Sequence, residues 1–167
     1  HCALYKDKKV GSLSDAGCFS FYANKIITTG EGGMVTTNEA VLAERMRSLK
    51  CLAFGDDLKF MHKDIGYNYR LTNIQSAIGY AQVKKIEDII AHKRRIATYY
   101  QEKLKEINEI QLPVEKSYAR NVYWMYHIVL KNKGLEQRRR IMKYLQYRGI
   151  ETREGFIPFN MQETFIA

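Results

Sequence analysis

Proline and cysteine are scarce in this sequence. In 167 residues there are two prolines, Pro113 and Pro158, and three cysteines, Cys2, Cys18 and Cys51. An odd number of cysteines with no pair at Cys-x-x-Cys spacing argues against a zinc framework or a disulfide scaffold. Free, buried thiols in a reducing compartment are the expectation. No run approaches the ~18 consecutive apolar residues of a membrane-spanning helix. No pattern of positive, apolar and small-residue regions opens the chain as a signal peptide would. A cytoplasmic protein without a membrane partner is therefore expected. Low-complexity segments, Gly/Ser linkers and internal repeats are absent. The chain begins at His1 rather than Met and stops at Phe165-Ile166-Ala167 after an apolar stretch, so both ends read as cuts through a longer protein.

Apolar residues make up 46% of the chain and aromatics 12%, enough to bury a core and too much for a disordered chain. The net charge is +9. Its basic groups are short: Lys6, Lys8 and Lys9; Lys84 and Lys85; Lys93, Arg94 and Arg95; Arg138 to Arg140. Consecutive residues of a helix point about 100° apart, so three in a row make no stripe. A solvated surface is the first reading and steering of a small anion the second. A nucleic-acid-binding domain ranks third.

Along the chain, residues 16–22 are small and aromatic and suit a short buried strand. Ala23-Asn24-Lys25 is turn-like. Ile26 to Thr29 and Met34 to Thr37 read as β-prone pieces around a Gly-Glu-Gly-Gly turn. Asn38 is placed to cap a helix over 39–52, and 53–70 is irregular. Thr72 and Gln75 form a capping box. Apolar positions from Ile74 through Ile90 to Ile107 then predict one helix of about 35 residues, roughly 50 Å long. Beyond Pro113, a strand over 122–130, a helix over 135–147 ended by Gly149 and a strand over 150–153 suggest a small α+β module.

Lys25 is the residue with the most chemical potential. A lysine amine forms Schiff bases when desolvation or nearby positive charge deprotonates it. One lysine among many is otherwise a solvated loop residue. Its surroundings alter that reading. The stretch Gly17-Cys18-Phe19-Ser20-Phe21-Tyr22-Ala23-Asn24-Lys25-Ile26-Ile27-Thr28-Thr29-Gly30-Glu31-Gly32-Gly33 resembles the lysine signature of the DegT-like sugar aminotransferases, fold-type-I pyridoxal-phosphate enzymes. Gly66-Tyr67-Asn68-Tyr69-Arg70-Leu71-Thr72-Asn73-Ile74-Gln75-Ser76-Ala77-Ile78-Gly79 is similar to the family's second signature. Asn121 to Tyr126 and Gly149 to Arg153 are similar to its perosamine-synthase branch.

The resemblance implies an α/β fold: part of the fold-type-I aminotransferase large domain over 1–90, then the long-helix end and a small α+β C-terminal domain over 91–167. It implies pyridoxal 5'-phosphate as cofactor, with Lys25 holding it and afterwards moving a proton as acid and base. Ser20 matches the serine that donates to the cofactor phosphate. Asn68 matches a residue that reaches the cofactor of the neighbouring subunit, which makes the site shared across a homodimer. Arg70 is a weaker candidate for the same interface. His62 is read as a possible substrate contact, and His127 and Trp124 as core. The Gly30–Gly33 turn lacks the Gly-Lys-Ser/Thr of a P-loop and is read as structural. His1-Cys2-Ala3 is similar to the end of a segment that carries, a few residues earlier, the aspartate against the pyridine nitrogen. Asp7 and Asp15 do not match it, so the chain alone is expected to be inactive.

The expected reaction moves an amino group from an amino acid, glutamate being the expected donor, to a nucleotide-linked 4-keto-6-deoxy sugar for amino-sugar or polysaccharide biosynthesis. The family's dehydratases carry histidine at the lysine position, so Lys25 argues against them. The alternatives are a non-catalytic or regulatory protein of the same fold and, on charge alone, a basic nucleic-acid-binding domain.

Overall fold

The computed structural model describes residues 1–55, 58, 60–62 and 64–165. In chain order its elements are β1 (Leu4–Tyr5), β2 (Lys8–Lys9), β3 (Gly17–Ser20), β4 (Gly33–Thr36), α1 (Ala40–Lys50), α2 (Asn73–Val83), α3 (Ile86–Leu104), β5 (Ile110–Gln111), β6 (Ala119–Arg120), β7 (Val129–Leu130) and α4 (Leu135–Tyr147), and the chain then makes two short 3-10 turns. It divides into two compact units, His1–Thr98 with Glu115–Trp124, and Tyr99–Val114 with Met125 onward.

In the first unit, β3 and β4 pair antiparallel from Gly17 opposite Thr36 to Ser20 opposite Gly33. The strand after Lys25 is thus Gly33–Thr36, while Ile26 to Thr29, expected as a β-prone partner, is loop. Its residues are spent instead on closing the connection between β3 and β4. A second sheet runs β2-β1-β6, with Leu4 opposite both Lys9 and Arg120. The core of this unit is Phe21, Ile27, Thr29, Ala53, Ile90, Ala97 and Val122.

Helix α1 starts without the Asn38 cap; its N-cap residue is Glu39, with no side-chain capping bond. Just ahead of it, the Thr37 hydroxyl accepts the Glu39 N–H at 3.0 Å while donating to the Asp15 carbonyl at 2.6 Å. The capping box at Thr72 and Gln75 is present as the sequence implies. The single long helix is not. Lys84 and Lys85 separate α2 from α3, and the Lys85 N–H turns to the Gln82 carbonyl at 3.0 Å, one residue short of a helical step. A tightened turn of this kind winds the chain further per residue, so the apolar stripe of α3 no longer continues that of α2. The stripe is buried only after the break: Ile90 is 0% exposed, whereas Ile74 on α2 is 76% exposed. The face of α2 that packs inward is the polar one, for a reason found at the lysine loop.

The second unit pairs β5 with β7, Ile110 opposite Leu130, and adds α4. Gly149 comes after α4 with φ +77°, the left-handed cap expected of it. The strand expected over 122–130 survives only as β7, because Tyr123 takes φ +46° and interrupts the extension. Residues 150–153 are not a strand either; their carbonyls and amides find no ladder partner among the described residues. No described residue of this unit is buried. No helix among the described residues is long and apolar enough to cross a membrane.

Replacing Ile90 with Ala removes the one large side chain that is fully enclosed among the described residues. It is expected to lower the unfolding free energy by about 2–5 kcal/mol in a urea titration. Val41→Ala, on an exposed face of α1, should cost about 0.5 kcal/mol or less.

Candidate active site

The loop between β3 and β4 folds on two threonines. The Thr28 hydroxyl donates to the Phe21 carbonyl at 2.9 Å, and the same carbonyl accepts the Thr29 N–H at 3.0 Å. The Thr28 oxygen then accepts the Gly30 N–H at 2.9 Å, and the Thr29 hydroxyl donates to the Glu31 carbonyl at 2.6 Å. Phe21, Ile27 and Thr29 are buried beneath it. Gly30 and Gly32 have φ +81° and +144°, conformations that a side chain disfavours. Lys25 sits at the far side of this closed loop, its own N–H on the Tyr22 carbonyl at 3.0 Å.

Helix α2 clamps the loop from outside. The Gln82 carboxamide accepts the Thr28 N–H at 3.1 Å and donates to the Thr28 carbonyl at 2.6 Å, with a further bond to Ile78 at 3.0 Å. Two turns earlier, Gln75 donates to the Glu31 carbonyl at 3.1 Å while its oxygen caps Thr72. Residues seven apart share a helix face. Gly79 lies between them, and a Cβ there would meet the Thr29 methyl at 3.0 Å. The polar face of α2 therefore points inward because it satisfies loop peptides that β3 and β4 leave unpaired.

The Lys25 side chain is half-buried, its Nζ 3.5 Å from the centre of the Trp124 ring. The Trp124 indole N–H donates to the Asn24 carbonyl at 2.7 Å. Trp124 is held there by a kink. Tyr123, at φ +46°, gives its N–H to the Asn121 side chain at 2.9 Å. Asn121 is fixed in turn: its N–H meets Glu115 at 2.7 Å and its carbonyl accepts from Arg94 at 2.6 Å. Arg94 grips Glu115 through both terminal nitrogens, at 2.7 and 2.9 Å. The Arg94 hydrogen bond holds the Glu115 carboxyl below the usual range, and the same bond raises the guanidinium further. Burial raises the Tyr123 phenol.

Ser20 ends β3. Its hydroxyl accepts the Tyr22 N–H at 3.3 Å, which leaves the O–H as a donor. His1 lies alongside, with Nε2 3.0 Å from the Ser20 carbonyl and its ring stacked on Phe21 at 5.5 Å. Asn68 belongs to a different segment, bridged to Cys51. Its neighbours are tied to the end of α1: Tyr67 N–H to Leu49, Leu52 N–H to the Tyr67 carbonyl, and Tyr69 N–H to Lys50. The Tyr67 and Tyr69 rings stack at 5.1 Å. Alternate residues of an extended segment face opposite ways, so the stacked pair turns Asn68 away from them. Gly66 is required for this approach, since a Cβ there would fall 2.3 Å from the Leu52 carbonyl carbon. Arg45 pairs with Asp64, and that hydrogen bond holds the Asp64 carboxyl below its ordinary value. Arg70 is exposed at the start of α2.

His62 makes structural contacts, its Nδ1 2.6 Å from the Leu52 carbonyl and its ring against Phe54. Other side chains depart from the sequence expectation. His127 is exposed rather than core, with Nε2 against Gly155. Trp124 is half-buried against Lys25, not in the core. The thiols are not buried either: Cys18 is exposed, and Cys2 and Cys51 are half-buried. A groove of about 430 Å³ lies elsewhere in the first unit, lined by Phe19, Phe21, Ile27, Met34, Val83 and Ile86 among others. Neither Lys25 nor Ser20 is among its lining residues. No cluster of His, Cys, Asp and Glu among the described residues has the arrangement of a metal site.

Sequence reasoning missed Gln82, the contact of Trp124 and the Arg94–Glu115 pair. The seven-residue spacing of Gln75 and Gln82 was a usable signal for the first. Nothing local marks the others; Trp124 reaches Asn24 across 100 residues.

Gln82→Leu strips both partners from the Thr28 peptide. Hydrogen exchange at the Thr28 amide should accelerate by about tenfold, the equivalent of ~1.4 kcal/mol, with α2 amides beyond the first turn little changed. For Glu115, a carboxyl held low in the folded chain stabilises it fully above about pH 5 and loses that contribution as pH falls through the folded value. Glu115→Gln should cost about 1 kcal/mol at pH 7, a modest figure because Arg94 and Glu115 are 32% and 27% exposed. The difference from the parent chain should shrink by about pH 3 in urea unfolding.

The model of the DegT/DnrJ/EryC1/StrS aminotransferase family matches residues 1–167. The GDP-perosamine synthase of Caulobacter vibrioides is 40% identical over 164 residues, covering 98% of this chain and 44% of the relative. That of Escherichia coli O157:H7 is 40% identical, covering 92% of this chain and 41% of the relative. Among solved structures, Helicobacter pylori PseC, an aminotransferase involved in pseudoaminic acid biosynthesis, superposes with a TM-score of 0.89 at 31% identity, covering 98% of this chain and 44% of that one. The chain thus spans less than half the length of these relatives. The family is pyridoxal-phosphate-dependent. With its whole length matched by the family model, this chain belongs to the DegT/DnrJ/EryC1/StrS aminotransferase family.

Proposed function

We propose that this chain carries the cofactor lysine and one wall of the active site of a pyridoxal-phosphate-dependent nucleotide-sugar aminotransferase. The observation that carries the reading is Lys25 itself: a half-buried amine on a loop closed from within by Thr28 and Thr29 and from without by Gln82. A group that must meet a cofactor at one place needs such a backbone.

The residues present fit the cofactor. Lys25 offers a primary amine, and Ser20, five positions earlier on the same rigid connection, keeps an O–H to give to a phosphate oxygen. When bound, the cofactor supplies the carbonyl that takes up the amino group and the ring that accepts electron density from the reacting carbon. The Lys25 Nζ would hold the cofactor. Freed from it, the amine would serve as base and then acid at the donor's reacting carbon, neutral when it takes the proton and charged when it gives one back. Asn68, turned outward by the tyrosine stack, serves the phosphate of the partner subunit's cofactor in a homodimer. The positive balance of the chain favours an anionic nucleotide carrier.

In this reading residues 1–90 are the end of the large cofactor domain and 91–167 the beginning of the small one. The donor is an amino acid, glutamate in the first instance. The likeness to GDP-perosamine synthases supports a GDP-linked 4-keto-6-deoxy sugar aminated at C4, in a soluble cytoplasmic enzyme.

Borohydride reduction with pyridoxal phosphate tests it. The expected result is one dominant modified peptide, carrying the adduct on Lys25, lost in Lys25→Met and needing severalfold more cofactor in Ser20→Ala. Low labelling scattered over many lysines would sink the proposal.

A further inference from the structure

Trp124 enters the lysine loop from a segment that no loop motif announces. Its N–H fixes the Asn24 carbonyl at 2.7 Å, the residue immediately before the lysine, and its ring face lies 3.5 Å from the Lys25 Nζ. A side chain placed merely to fill space has no need of both contacts. Holding it there involves a left-handed Tyr123 and a fully engaged Asn121 between Arg94 and Glu115. Non-glycine residues adopt such a backbone only where surrounding contacts compel it. This arrangement leaves the indole on the Asn24 carbonyl and over the Lys25 amine.

We propose that Trp124 is a positioning residue for Lys25: its indole N–H sets the backbone of the lysine turn, and its π face receives the Lys25 ammonium whenever that amine is not joined to another group. An indole face attracts a cation through the negative potential above the ring. It therefore gives the charged amine a defined resting place on the loop. This rests on the reading of Lys25 as the cofactor lysine. A freed lysine that must later give up a proton benefits from a fixed site, since a mobile amine would meet the reacting carbon less often. Among the described residues no carboxylate pairs with Lys25. The titratable and charged groups on the elements around it are Tyr22 and Glu31 on its own loop, and Tyr123, Arg94 and Glu115 on the Trp124 side, where Arg94 pairs with Glu115 and lies over the Tyr123 ring at 5.7 Å.

The test uses no cofactor, so its outcome and that of borohydride trapping are independent. Lys25 acetylation by limiting acetic anhydride at one fixed pH is followed by mass spectrometry against exposed Lys105 as internal reference. An amine seated on a ring is withheld from the reagent for as long as it stays there. Trp124→Phe and Trp124→Leu both lose the bond to Asn24, but only Phe keeps an aromatic face. The ratio of Lys25 to Lys105 labelling should rise roughly two- to thirtyfold in Trp124→Leu, the usual strength of a cation over an indole expressed as a ratio. Trp124→Phe should show a smaller rise. Equal ratios in the Phe and Leu variants, or no change in either, would overturn the proposal. A second measurement leaves the indole in place. Trp124 is the one tryptophan of the chain, and its emission should change in Lys25→Met but not in Lys84→Met, whose amine lies over Tyr80. Emission unaltered by Lys25→Met would equally overturn it.

Discussion

The Gln82 carboxamide meets the Thr28 peptide twice, accepting its N–H and donating to its carbonyl. A loop peptide outside a sheet has lost its ladder partners, and an amide side chain replaces both at once. Around that contact the rest of the first unit is arranged. Thr28 is fixed, so its hydroxyl can close on Phe21; Phe21 is fixed, so Lys25 stands on a loop with both ends tied. The same contact explains why α2 turns a polar face inward and leaves Ile74 outside.

The candidate site is built from three separately stabilised pieces. The lysine loop is held by threonines and glutamines, the Trp124 kink by the Arg94–Glu115–Asn121 cluster, and the Asn68 segment by backbone bonds to the end of α1. Each uses close approach or backbone bonding rather than a large apolar core. That suits a surface where polar groups must remain available to a cofactor and a substrate. A methyl group would collide with the Leu52 backbone at Gly66 and crowd the Thr29 methyl at Gly79. Rigidity here comes from hydrogen bonds to backbone, which orient a group without covering it.

The long signatures around Lys25 and Asn68 were legible because they are local: a turn, two glycines with positive φ and a capping box are decided within a few residues. The periodic helices α1 and α4 were legible for the same reason. The single helix across 72–107 was not, because periodicity carries no mark of the tightened turn at Lys84 and Lys85. The extension through Val122 to Leu130 failed at Tyr123. There, β propensity yielded to an asparagine side chain and an ion pair contributed by distant residues.

By itself the sequence determined the family, the signatures around Lys25 and Asn68, and the capping of α2, since motif chemistry and local backbone preference need no knowledge of what packs against them. Only the tertiary structure decided that Gln82 anchors the lysine loop, that Trp124 lies against Lys25 and that His62 serves the Leu52 carbonyl. Those contacts join residues from 10 to 100 positions apart. A hydrogen bond or ring contact over such a separation depends on where the folded backbone brings two groups together, which residue spacing along the chain does not encode.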